Sequence, residues 1–314
     1  WPVMSSTETA RASGGVGLGQ AGLVLLLGVC AMAWGSILVR WAGAPPLVVG
    51  AGRLSAATLI LAPMALPRAV REWPLLPPRQ WLLVALAGVA LGLHFAAWIA
   101  SLSLTSVASS VVLVSTTPLF MAAASPLLLH ERVPRSMGLA VALSIVGAII
   151  IGVSDADAGG ARGALAGDLL ALAGALMSTV YMAAGRVVRR RLSLLAYIWP
   201  MYALAALVLL LGCALQGQSL LGYGSRTYGL LLLLALGPQI VGHSSANWAL
   251  RYLSPTFVTV VILGEPLGAT VLALLLLGEQ PSWPLIAGGI MLLLGIGLAV
   301  RSEYHRPGLA ARAP

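Results

Sequence analysis

Apolar residues fill ten runs of the chain, at roughly 20–39, 46–66, 81–102, 106–129, 136–153, 164–185, 194–214, 228–250, 254–277 and 283–300. A helix needs about 20 predominantly apolar residues to cross the hydrocarbon core of a bilayer. The polar interruptions carry turn chemistry: APP at 44–46, PLLPP at 74–78, RVPR at 132–135, DADAGG at 155–160 and QPSWP at 280–284. The pattern predicts ten transmembrane helices and no strands. Within the seventh run, Trp199-Pro200 predicts an early break.

Two of the runs echo one another. Residues 254–279 read SPTFVTVVILGEPLGATVLALLLLGE, and residues 106–131 read SVASSVVLVSTTPLFMAAASPLLLHE. Aligned without a gap, Ser254 falls on Ser106, Pro266 on Pro118 and Glu279 on Glu131; beyond them Gly295 falls on Gly147. A repeat at a fixed period sets the architecture before any local detail does. The echo joins the fourth run to the ninth, so the repeat unit is five helices. Five is odd, and the two units therefore enter the membrane in opposite senses. Inverted repeats of this kind are typical of secondary transporters, which bind solute near the midplane between the halves.

Charge sets the orientation. The chain has eighteen basic residues, all arginine. With the N-terminus in the cytoplasm, the cytoplasmic segments hold fourteen: Arg11, Arg68, Arg71, Arg79, Arg132, Arg135, Arg186, Arg189, Arg190, Arg191, Arg251, Arg301, Arg306 and Arg312. The opposite side holds Arg40, Arg162 and Arg226, and Arg53 lies inside the second run. The positive-inside rule then predicts both termini in the cytoplasm. The expected layout is a polar tail at 1–19, opening with a short remnant ahead of Met4, a first repeat at 20–153, a second at 164–300 and a cytoplasmic tail at 301–314.

Composition agrees. Only 9% of residues are charged and 59% are hydrophobic, which no water-soluble domain of 314 residues matches. The net charge of +9 would suggest nucleic acid in a soluble protein, but these arginines sit between apolar runs as topology anchors. Cys30 and Cys213 lie within apolar runs and read as small buried hydrophobes. The four histidines are scattered singly, so neither a metal site nor a cofactor is expected. The N-terminal stretch lacks the pattern of a secretory signal.

The duplication and the ten runs together resemble the drug/metabolite transporter superfamily, in its ten-helix EamA-type exporters. The likeness spans about residues 20–300. It rests on the proline of the fourth helix in each half with a glutamate just past the helix end, on AWGSILVR in the first run, and on AGRLSAA around Arg53 in the second. The sixth run lacks the tryptophan–glycine pair, and Thr117 stands where the second half has Glu265. The resemblance implies an all-α polytopic exporter of the bacterial inner membrane, not an enzyme, working by alternating access as a monomer or homodimer. Within that family the YddG-type amino-acid exporters are the nearest in character.

Candidate site residues come from polar and aromatic positions deep in the runs. Gln239, His243 and Asn247 recur at i, i+4 and i+8, with Ser244 and Trp248 beside them. Such a stripe cannot face lipid; it either lines a wet cavity or bonds neighbouring helices. His94 lies twenty-four residues before Pro118 and His243 twenty-three before Pro266, so the two histidines should approach one central space, with Trp98 one turn from His94. Glu265 is a lone acid roughly 16 Å into the ninth helix, and Arg53 is roughly 10 Å into the second from the other side. Three roles are open for Glu265: an ion pair with Arg53, ion coupling, or contact with the solute. The resemblance weighs against proton coupling as its default role. Pro118 and Pro266 read either as hinges or as static kinks. Trp34, Trp98, Tyr181, Trp199, Tyr202 and Trp248 could wall an apolar pocket with polar handles, suited to amino acids or related metabolites. A drug or nucleotide-sugar carrier, an intramembrane enzyme and a channel are the competing readings.

Overall fold

The computed structural model describes residues 17–105, 110, 113–154, 164–277 and 283–305. Ser106, Asp157, Glu279, Arg11, Arg162, Arg306 and Arg312 lie outside the described residues, as do the side chains of Ser36 and Arg40. Among the described residues the molecule is all-helical. Its rods are α1 (Leu18–Ala42), α2 (Pro46–Glu72), α3 (Pro78–Leu104), α4 (Thr117–Leu128), α5 (Arg135–Ser154), α6 (Ala164–Val188), α7 (Leu194–Leu215), α8 (Ser225–Ala249), α9 (Pro255–Leu276) and α10 (Trp283–Tyr304). Eight are long and apolar enough to cross a membrane; the apolar stretches of α4 and α5 are shorter.

Proline placement explains several boundaries. Pro46, Pro78, Pro118 and Pro255 stand in the first turns of their helices, where the missing N–H costs nothing. Two sequence expectations fail. α2 continues through Pro63 and Pro67 to Glu72 rather than ending near 66, and α7 runs unbroken through Pro200. In a membrane bundle neighbouring helices can compensate a lost backbone bond, so proline alone does not end a helix.

Helix contacts obey the five-helix shift. α3 packs on α6 as α8 packs on α1, α4 on α6 as α9 on α1, and α3 on α7 as α8 on α2. The crossing of α5 and α10 is the sharpest case. A Cβ on Gly147 would stand 2.7 Å from the Gly288 carbonyl and from the Leu292 amide, while one on Gly295 would meet Ser144 and the Ala140 carbonyl. Shifting by the repeat period of 148 residues (266 − 118) exchanges the two contacts. Reciprocal contact is what a two-fold relation produces. The paired elements also run in opposite directions: the end of α4 meets the start of α9, with Ser125 Oγ and Thr256 Oγ1 3.1 Å apart.

Candidate functional site

The central feature is a guanidinium held by an amide. Arg53, in the first third of α2, donates from Nε and Nη2 to Gln239 Oε1 of α8 at 3.0 and 2.6 Å. Its Cζ also sits 4.4 Å from the centroid of the Phe95 ring on α3, a cation–π contact. Phe95 lies between the two predicted histidines, with ring centroids 5.1 Å from His94 and 5.6 Å from His243. The sequence-level convergence of His94 and His243 is therefore realised around a residue that the sequence did not single out. His94 donates from Nδ1 to the Gly174 carbonyl at 2.8 Å, and its ring stacks with Trp98 at 6.5 Å and approaches Tyr181 at 6.4 Å.

The expected stripe on α8 is split by a change of helix type. Residues Ala235–His243 form a π-helix containing Pro238. In a π turn the bonded pair is i and i+5, and the Ser244 amide does bond the Gln239 carbonyl. Ser244 thereby takes the place beside Gln239 that a regular helix would have given His243. Its hydroxyl meets the Tyr202 hydroxyl of α7 at 3.0 Å. Asn247 donates from Nδ2 to the His243 carbonyl at 2.8 Å. Gln239 and His243 thus face α2 and α3, whereas Ser244 turns to α7. Three polar atoms of this region are buried without a partner among the described residues: Gln239 Nε2, His243 Nδ1 and Asn247 Oδ1.

Other predicted residues are placed elsewhere. Trp199 donates to the Thr58 carbonyl at 3.0 Å and stacks on Trp73, so it joins α2 to α7 rather than walling a central pocket. Trp73 and Trp81 meet edge to face at 4.9 Å, while Trp283 is 82% exposed as an interfacial tryptophan would be. Trp248 packs against Tyr252 at 4.6 Å, and Trp34 is 40% exposed on α1. The direct Arg53–Glu265 ion pair does not form; Gln239 occupies the guanidinium instead. Pro118 and Pro266 each sit second in a helical segment, after turns at Ser115-Thr116 and Leu263-Gly264. These are breaks rather than kinks in a continuous helix. Thr116 and Thr117 hydroxyls bond the Leu113 and Val114 carbonyls, re-satisfying groups the break frees.

The arginine-rich end of the bundle is densely tied. Arg186 reaches Glu131 at 2.8 Å and the Leu250 and Leu253 carbonyls, while Arg190 adds a 3.0 Å contact to Glu131. Arg189 donates to the Asn247 carbonyl, and burial, reinforced by Arg251, lowers its guanidinium to about 10, still protonated at neutral pH. Glu303 accepts from the Ser254 amide and hydroxyl at 2.6 and 2.7 Å, and Glu72 from the Ser193 amide at 2.7 Å. At the opposite end Thr227 bonds the Ala42 carbonyl at 2.9 Å and Thr105 bonds Asp168 at 2.8 Å. Nothing in the sequence marks the clasp, because a cytoplasmic arginine fits the positive-inside rule whether or not it pairs across helices.

Comparison with known proteins finds the family model described as "EamA-like transporter family" matching twice, over residues 20–153 and 165–301. Twenty-nine solved chains match. One crystal structure, described only as that of a protein, is 19% identical with a TM-score of 0.76, covering 91% of this chain and 99% of its own, and shows a shared fold. No curated protein matches significantly.

Proposed function

The chain belongs to the EamA-like transporter family, and we propose that it exports small organic metabolites, amino acids including aromatic ones foremost, across a bacterial inner membrane by alternating access. The observation that carries this reading is the knot of Arg53, Gln239, Phe95, His94 and His243 inside an apolar bundle. Polar groups at that depth mark solute pathways more often than packing. Rings of Phe95, Trp98 and Tyr181 beside charged and amide groups give apolar walls with a few polar handles, the make-up of a small-molecule site. The near match of the two halves supports rocking of one against the other around that centre. A nucleotide sugar, with its diphosphate, asks for more cations than the single Arg53 in this region.

Counterflow into proteoliposomes, screened over the twenty amino acids, tests the proposal. Saturable exchange of a subset is expected; exchange of none would overturn it. The arginine distribution further supports cytoplasmic termini. Cysteines placed at Asp157 and Arg190 should then label from opposite sides of the membrane, and labelling of both from one side would reject that topology.

A further inference from the structure

We propose that a groove between α1 and the α9–α10 pair binds one phospholipid of the cytoplasmic leaflet, with an acyl chain in the groove and an anionic headgroup at its mouth beside Arg301 and Tyr304. The inference rests on the cytoplasmic placement of the arginine-rich end and not on which solute is carried.

The groove has a volume of about 270 Å³. One wall is α1 from Leu18 to Leu26, and the other is α10 from Ile296 to Tyr304. The first segment of α9 runs between them, with Phe257 and Val261 as the floor. Two glycines on the α1 wall make the space. A Cβ on Gly19 would meet only the Tyr304 hydroxyl, at 3.9 Å, and one on Gly22 would meet nothing within 4 Å. The floor is buried, whereas Leu26, Val300 and Tyr304 are exposed, so the groove opens sideways. An apolar hollow holds no ordered water, and beside a spanning bundle what enters from the side is hydrocarbon.

Its depth and position fit one chain of one leaflet. Each wall runs eight positions, roughly 12 Å at 1.5 Å per residue. The hydrocarbon of a leaflet is about 15 Å deep, half of a ~30 Å core. The groove begins where α1 starts and α10 ends, at the arginine-rich end of the bundle. There the charges favour an anionic head. Arg301 is exposed in the last turn of α10, three positions before Tyr304 and hence its neighbour on the helix surface. A guanidinium and a phenol hydroxyl both donate to phosphate oxygens. Glu303 also lines the groove, but it is buried, and its two carboxylate oxygens accept from the Ser254 amide and hydroxyl at 2.6 and 2.7 Å. The first turn of α1 carries no acidic residue that would repel a phosphate. The walls come from both family matches, α1 from the first and α10 from the second, so a lipid seated here touches both halves.

The test uses phosphatidylglycerol with a diazirine in the middle of one acyl chain, as a trace component of phosphatidylcholine nanodiscs holding the full chain. Photolabelled residues are mapped by mass spectrometry. Label is expected to concentrate on the groove-facing residues of α1, α9 and α10. Unlabelled phosphatidylglycerol should displace it about fivefold better than added phosphatidylcholine, the preference that one arginine at a membrane surface supplies. Gly22→Leu fills the groove from a position with room for a side chain, and should abolish the groove label. Gly297→Leu, on an exposed face of α10 outside the groove, should leave it unchanged. Arg301→Gln should keep the label and lose the preference for phosphatidylglycerol. Even labelling of all lipid-facing helices, or a groove label that survives Gly22→Leu, would overturn the site. Equal displacement by the two lipids in the wild type, or a preference untouched by Arg301→Gln, would overturn the headgroup contact. None of these readouts depends on transport, so a failed amino-acid screen leaves the inference standing.

Discussion

At the scale of single residues, what separates this centre from ordinary packing is how its polar groups are shared. Gln239 is fully buried and holds the guanidinium by its oxygen. Gln239→Leu removes that acceptor and should cost about 1–3 kcal/mol. An unchanged thermal midpoint in detergent would mean that Arg53 has another acceptor. His243→Ala and Trp98→Ala remove rings from the edge of the centre, and each is expected to weaken counterflow while leaving that midpoint nearly intact. Normal transport in both would move the site elsewhere, and unfolding of both would make them packing residues. Polar positions in apolar runs were legible, since burying them in lipid is so unfavourable. Phe95 was not, because a phenylalanine among leucines and alanines carries no mark. Trp199 and Trp248 show the converse: a tryptophan deep in an apolar run signals burial, and nothing in its spacing tells a pocket wall from a helix–helix contact.

At the scale of elements, the correspondence of Gly295 with Gly147 marks a helix crossing, whereas the change of helix type on α8 leaves no comparable mark. Gly147 and Gly295 are spaced so that α5 and α10 cross with their backbones nearly touching. Because Gly147 would place a Cβ against the backbone of Gly288 and Leu292, Gly147→Ala should cost about 1–3 kcal/mol despite alanine's better helix propensity. Gly295→Ala, meeting Ser144 and Ala140 from the other side, should cost a similar amount. Gly297→Ala meets nothing within 4 Å and should change stability by no more than about 0.5 kcal/mol. Thermal unfolding of the three variants checks the ordering; equal midpoints would deny that the crossing is tight. On α8 the i, i+4, i+8 stripe assumes 3.6 residues per turn, and the π turn over Ala235–His243 breaks that spacing. Pro238 is the local cause visible in the sequence, since it cannot donate to the preceding turn. Its presence flags a disturbance without saying whether the helix will kink, break or widen. α2 and α7 confirm how weak that signal is, for both run through proline unbroken.

At the scale of the whole molecule, the contacts of charged side chains among the described residues gather at the arginine-rich end of the bundle. The arginine-rich end is fastened by buried charge, with the Arg186 side chain 7% and Glu131 11% exposed. Four elements meet there: the ends of α4, α6 and α8 and the start of α9. In a protein that alternates access, an end fastened in this way is the closed one, and opening it must break the Glu131–Arg186 contact. Removing one partner of a buried ion pair costs about 3–5 kcal/mol in the state that contains it. Glu131→Gln should therefore shift the population toward the state open at this end. A cysteine at Thr256, a buried position at the start of α9, reports that opening. In inside-out vesicles its labelling by a membrane-impermeant reagent should accelerate at least about tenfold when Glu131→Gln is added. Labelling at an unchanged or slower rate would show that the charges at this end hold the fold together without gating it.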